Sequence, residues 1–188
     1  GALAGGNSIV FKPSELTPHI AELMETILLK ALEPGSIKVV QGEIPQVNRL
    51  LKSGQFDKIF YTGSTHVGTI VAQEAAKSLT PCTLELGGKS PVFITENLKP
   101  SHLRAALKRV LFGAFGNSGQ ICVAADYILA HESVYDDVIS VGKSLLKEFW
   151  PEINHDVDYT HMIHRRAYEG AMSKLSSTKG EKFTSASD

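Results

Sequence analysis

Two cysteines, Cys82 and Cys122, are all that the 188 residues contain. So few exclude a disulfide-rich scaffold and a four-cysteine zinc site, and they make a reducing compartment the expectation. Seven histidines are present without an HExxH pair, and His161 and His164, three apart, supply too few donors for a metal site. Long apolar runs are also missing. The longest near-apolar stretches, such as 36–40 and 90–94, are strand-sized and far too short to cross a bilayer. No basic-then-apolar leader opens the sequence, so no secretory signal is expected. Neither sign of charge dominates: 19 Lys and Arg face 20 Asp and Glu, for a net charge of −1. That balance gives no broad reason to expect nucleic acid or an anionic membrane as partner. Internal repeats and low-complexity tracts are absent too.

What is present is ordinary in bulk and informative in order. Hydrophobic content of 43% and charged content of 21% suit a globular protein, and the length allows one domain or two small ones. Ser8-Ile9-Val10-Phe11 reads as a buried strand, close to a first residue that is not methionine, so the chain is expected to be a piece of a longer one. Thr17 is placed to cap a helix with Pro18 in its first turn, and Ile20, Leu23, Met24, Ile27 and Leu28 fall on one inward face. Strands are predicted at 37–40 and 58–61, a short helix at 47–52, and a helix from Gly63-Ser64-Thr65 to about Lys77, with Val67, Ile70, Val71 and Ala75 inward. This βαβ alternation predicts a parallel sheet covered by helices on both faces. After Thr80-Pro81 come a strand at 82–86, a boundary near Gly87-Gly88 and a strand at 91–95. A helix over 101–115, a strand at 127–130 and a helix over 134–149 follow. Beyond Pro151 the signal fades.

Four short segments carry candidate chemistry. Cys122 lies in Gly116-Asn117-Ser118-Gly119-Gln120-Ile121-Cys122-Val123, where glycines permit a sharp turn and nearby main-chain N–H groups favour a thiolate. Cys82, inside a strand, reads as an inert core thiol. Glu85, 37 positions before Cys122, stands between Leu84 and Leu86 ahead of Gly87-Gly88. Partial desolvation there would raise its pKa and suit it to general-base work; a carboxylate satisfied by turn amides fits the same letters. Gly63-Ser64-Thr65-His66-Val67-Gly68 follows a strand and opens a helix, where free N–H groups favour a diphosphate. It lacks the P-loop lysine and is not GxGxxG, and packing alone also explains such a turn. Lys12-Pro13-Ser14-Glu15 sits at the carboxyl end of the first strand, the ligand edge of an open parallel sheet. Lys12 and Glu15 suit the two hydroxyls of a ribose, or a simple ion pair.

The segments GNSIVFKPSE, FYTGSTHVG, TPCTLELGGKSP and GNSGQICVAADYIL, in that order, resemble the aldehyde dehydrogenase superfamily, and most of all its class 3, fatty-aldehyde-type branch. The resemblance runs from Gly1 to about Arg166. It implies an α/β fold in which 1–86 form part of a parallel, Rossmann-like NAD-binding domain and 87–188 the first part of a catalytic domain. It implies oxidation of an aldehyde to a carboxylic acid with NAD, NADP being admissible, through a thiohemiacetal and a thioester on Cys122. Glu85 would activate the hydrolytic water, and the Cys122 N–H would donate to the oxyanion. Lys12 and Glu15 would hold the adenosine ribose, Ser64 would meet the pyrophosphate, and Gly63, Val67 and Gly68 would shape the adenine side. Ala125 stands where this branch usually has proline. The family's oxyanion asparagine would precede Gly1, and its Glu-Ile-Phe-Gly-Pro segment would follow Asp188. The chain alone is therefore expected to be weakly active or inactive, and the whole protein a homodimer in the cytoplasm or on the cytoplasmic face of a membrane. A cofactor-independent thiol esterase or acyl transferase, and a non-catalytic nucleotide-binding piece, are the alternatives.

Overall fold

The computed structural model describes residues 1–151 and 159–183, which divide into two compact units, Gly1–Leu86 and Gly87–Asp188. The first unit alternates strands and helices: β1 (Ile9–Phe11), α1 (Pro18–Ala31), β2 (Ile37–Val39), α2 (Ile44–Lys52), β3 (Ile59–Thr62), α3 (Thr65–Lys77) and β4 (Cys82–Glu85). Its ladders are parallel, β1 with β2 and β3 with β4, in two separate pairs rather than one continuous sheet. In β3–β4, Tyr61 faces Leu84 and Thr62 faces Glu85. The second unit holds β5 (Ser90–Ile94), α4 (Pro100–Phe115), β6 (Ala125–Ala130), α5 (Tyr135–Phe149) and α6 (Arg165–Ser177). Its ladder is again parallel, β5 with β6, as a βαβ crossover requires.

Burial corrects parts of the sequence reading. The α1 face predicted to point inward is exposed at Ile20, Leu23, Met24 and Ile27, while Ala21 is buried. The apolar stripe is real, but β2 meets the helix and the buried position on it is Ala21, on the neighbouring face. Val10 is likewise exposed rather than buried, because one face of the β1–β2 pair is open. Thr17 occupies the N-cap position of α1 without capping it, since its hydroxyl donates to the Ser14 carbonyl at 3.4 Å. In α3 the inward pair is Val71 and Ala75, whereas Val67 and Ile70 are partly exposed. The helix ends in a Schellman turn: the Leu79 N–H donates to Ala76 and the Thr80 N–H to Ala75, with Leu79 left-handed at φ 55°. The buried Thr80 hydroxyl is satisfied by the Phe56 carbonyl at 3.1 Å.

The core of the second unit is Ile94, Leu103, Leu107, Val138 and Leu145, where α4 and α5 pack on one another beside β5. Spacing of i, i+4 from Leu103 to Leu107 supplies one side. Helix α6 was not expected from the sequence, and none of its residues is buried. Local chemistry carries it: the His164 ring accepts from the Ala167 N–H at 2.9 Å, and Arg165 pairs with Glu169 one turn on at 2.7 Å.

Candidate active site

In the first unit the candidate residues gather at the carboxyl ends of the strands. Lys12, just past β1, donates to the Glu15 carboxylate at 2.7 Å and to the Gly42 carbonyl beyond β2 at 3.2 Å. The ammonium thereby ties the ends of the two paired strands together and leaves the Glu15 carboxylate partly open to solvent. That hydrogen bond holds the Glu15 pKa below its ordinary value. Ser64 is the N-cap of α3, its hydroxyl accepting from the Val67 N–H at 3.3 Å. One turn on, Gly68 is buried. A Cβ there would lie 2.6 Å from a Leu86 methyl, so the missing side chain lets α3 settle against the end of β4. At Gly63 a Cβ would run into the Tyr61 ring. Gly68 is thus in contact with Leu86, while Gly63, Ser64 and the partly exposed Val67 lie at the accessible start of the helix.

Glu85 ends β4. Its carbonyl accepts from the Gly63 N–H at 3.0 Å, which binds the end of β4 to the helix-opening turn. Its side chain is exposed, although the flanking Leu84 and Leu86 are half-buried. The expected partial burial is thus corrected: side chains alternate along a strand, so burial of the leucines turns Glu85 the other way. Cys82 opens the same strand opposite Ile59 and is half-buried.

In the second unit Cys122 is exposed, on the turn that leads from α4 into β6. The turn is strained. Asn117 and Ser118 adopt left-handed φ of 52° and 56°, followed by Gly119 at 72°. Left-handed non-glycine residues persist only where surrounding contacts fix them, and such contacts exist here. The Ser118 hydroxyl donates to the Thr160 carbonyl. The Gln120 amide donates to Asn117 at 2.9 Å and His161 at 3.3 Å, and accepts from the Ile163 N–H at 2.9 Å. Gln120 and Ser118 therefore strap the thiol-bearing turn to the segment before α6. Both lie inside the cysteine motif, yet the sequence reading assigned them nothing, because their partners are backbone atoms some 40 positions away. Lys89, from the Gly-Gly turn, pairs with Asp126 at 2.6 Å. This bond spans an irregularity in register, where Ser90 faces Ala125 but Pro91 faces Tyr127. The pairing raises the Lys89 pKa above its ordinary value. Among the described residues no cluster of three or more metal-ligating side chains occurs, and no helix is long and apolar enough to cross a membrane.

Parallel βαβ units in both parts of the chain, with a helix start at a strand end in the first and an exposed cysteine on a strained turn in the second, define an α/β protein. The family model described as the aldehyde dehydrogenase family matches residues 1–187, and the chain belongs to that family. It is 60% identical over 183 residues to the fatty aldehyde dehydrogenase HFD1 of Saccharomyces cerevisiae, covering 97% of this chain and 34% of that protein. Among solved structures, the substrate-bound state of Staphylococcus aureus AldH superposes with a TM-score of 0.83 at 40% identity, covering 94% of this chain and 38% of the other. A Mycobacterium tuberculosis aldehyde dehydrogenase complexed with NAD+ matches with a TM-score of 0.68 at 36% identity, over 74% of this chain and 29% of that one. The chain spans about a third of the length of the curated relatives it matches.

Proposed function

We propose that the whole protein oxidises an aldehyde to a carboxylic acid with NAD, and that Cys122 is its nucleophile. The observation that carries this reading is the exposed Cys122 thiol on a left-handed turn held by Ser118 and Gln120, in a chain of this family. The Cys122 sulfur would add to the aldehyde carbon, forming a C–S bond and leaving the oxygen as an alkoxide to which the Cys122 N–H donates. Bound NAD would supply the acceptor for the hydride leaving that carbon, so that Cys122 would be left carrying the acyl group as a thioester. Glu85 would take a proton from water as it attacks the thioester carbon, releasing the acid and returning the thiol. Exposure of the Glu85 carboxylate gives water access to it.

The donor set at the strand ends fits the cofactor. Glu15 offers an open carboxylate to ribose hydroxyls beside the Lys12 ammonium, and a negative charge there disfavours a 2′-phosphate, so NAD is preferred to NADP. Ser64 and the first N–H groups of α3 suit the pyrophosphate. Both cysteines are free, which supports a cytoplasmic site or the cytoplasmic face of a membrane. The resemblance of the sequence motifs supports a homodimer.

The test uses the full-length enzyme with an aliphatic aldehyde and NAD, followed by NADH absorbance. Cys122→Ser is expected to abolish turnover. Glu85→Gln is expected to keep a single burst of NADH and lose the steady state, because the thioester forms but is not hydrolysed. Steady turnover by Cys122→Ser would sink the reading.

A further inference from the structure

We propose that Gly88 is a positioning residue for the Cys122 nucleophile, acting through the Cys122 carbonyl; this rests on the reading of Cys122 given above. A Cβ built on Gly88 would lie 2.8 Å from the Cys122 carbonyl oxygen, closer than real Cβ contacts allow. The obstacle is backbone, which cannot rotate aside as a side-chain tip can. Ordinary contact begins at 3.4 Å, so any side chain at 88 pushes the Cys122 backbone away by about 0.6 Å (3.4 − 2.8). Gly87, its neighbour, is different: a Cβ there meets nothing within 4 Å, and its φ is not left-handed. The two glycines of one turn are thus unequal. Only the second is required by contact with the thiol-bearing turn.

The surroundings leave the displacement nowhere else to go. On the far side, Gln120 and Ser118 hold the turn to the segment 160–163. Three residues after Cys122, Ala125 enters the ladder opposite Ser90, two residues after Gly88. On the near side the Lys89–Asp126 ion pair joins the same two segments. A Cβ at 88 would therefore be accommodated by shifting the Cys122 main chain, whose Cα bears the sulfur and whose N–H is the one proposed to meet the oxyanion. Such a shift misplaces the reacting atoms and leaves the NAD-binding residues of the first unit as they are.

The experiment compares Gly88→Ala and Gly87→Ala in the full-length enzyme. Gly88→Ala is expected to lower kcat by about 10²-fold, the scale on which a misplacement of about 1 Å acts. Iodoacetamide should label Cys122 more slowly than in the wild type when Cys82 is the internal reference. The KM for NAD and cooperative unfolding should remain those of the wild type. Gly87→Ala should match the wild type throughout. Wild-type kcat in Gly88→Ala overturns the proposal, as does equal damage in Gly87→Ala. A Gly88→Ala protein that fails to fold or to bind NAD overturns it too, by assigning the glycine to the fold instead. Failure of the underlying reading is separately visible, as turnover retained by Cys122→Ser.

Discussion

Lys12 holds two partners at once, the Glu15 carboxylate and the Gly42 carbonyl, and this double duty gives the ion pair a measurable signature. The Glu15 pKa lies below its ordinary value of 4.5, first because Lys12 donates to the ionised carboxylate. A depressed folded pKa contributes stability above the unfolded value and loses it as pH falls through the folded one. Lys12→Met should therefore flatten the fall in stability below pH 4.5. Both groups are partly solvated, so the loss at neutral pH should stay within about 1 kcal/mol. Urea midpoints at neutral pH and in acid, for the wild type and Lys12→Met, check this. Parallel acid limbs would show that the pair is inert. At the same scale Ser64 is doubly useful. Ser64→Ala removes the cap of α3, costing about 1 kcal/mol of stability, and should also weaken NAD binding in the full-length enzyme; calorimetric titration reads the second effect.

Among the elements, α3 and α4 respond to change for opposite reasons. Leu79 closes α3 in a left-handed conformation that normally belongs to glycine, and its side chain is 89% exposed, so nothing is gained by its apolar bulk. Leu79→Gly is expected to stabilise the protein by up to about 1 kcal/mol, relief of strain outweighing the added chain entropy. A lower melting midpoint in Leu79→Gly would contradict this account. Leu107 in α4 is 1% exposed at the centre of the second unit's core. Leu107→Ala should cost about 2–5 kcal/mol through lost burial and the cavity left behind, seen as a lower denaturant midpoint. Most elements were legible because their signals are local: Pro18 stands in the first turn of α1, and Gly63-Ser64-Thr65 opens α3. Helix α6 was not: its apolar positions Tyr168, Ala171, Met172 and Leu175 make only a short stripe, and none of its residues is buried. Helix α2 begins three residues before its predicted start, where Gln46 reaches back to the Glu43 N–H at 3.1 Å.

For the molecule as a whole, Ile20, Leu23, Met24 and Ile27 on α1 form an exposed apolar stripe among the described residues. The 188-residue chain expressed by itself should bind the dye ANS strongly, and Ile20→Lys with Ile27→Lys should reduce that fluorescence. A chain that is dark with ANS would mean that the stripe is covered. Sequence alone determined the alternation of strands and helices and the parallel sense of pairing, because these depend on periodicity, turn residues and short motifs. The tertiary structure decided how each is held. Glu85 points outward because its leucine neighbours point in, and Gly68 is filled by Leu86. Cys122 rides on a turn fixed by Gln120, Ser118 and the bare Cα of Gly88. Those contacts join residues tens of positions apart through backbone atoms that every residue possesses, and so they leave no mark in the sequence.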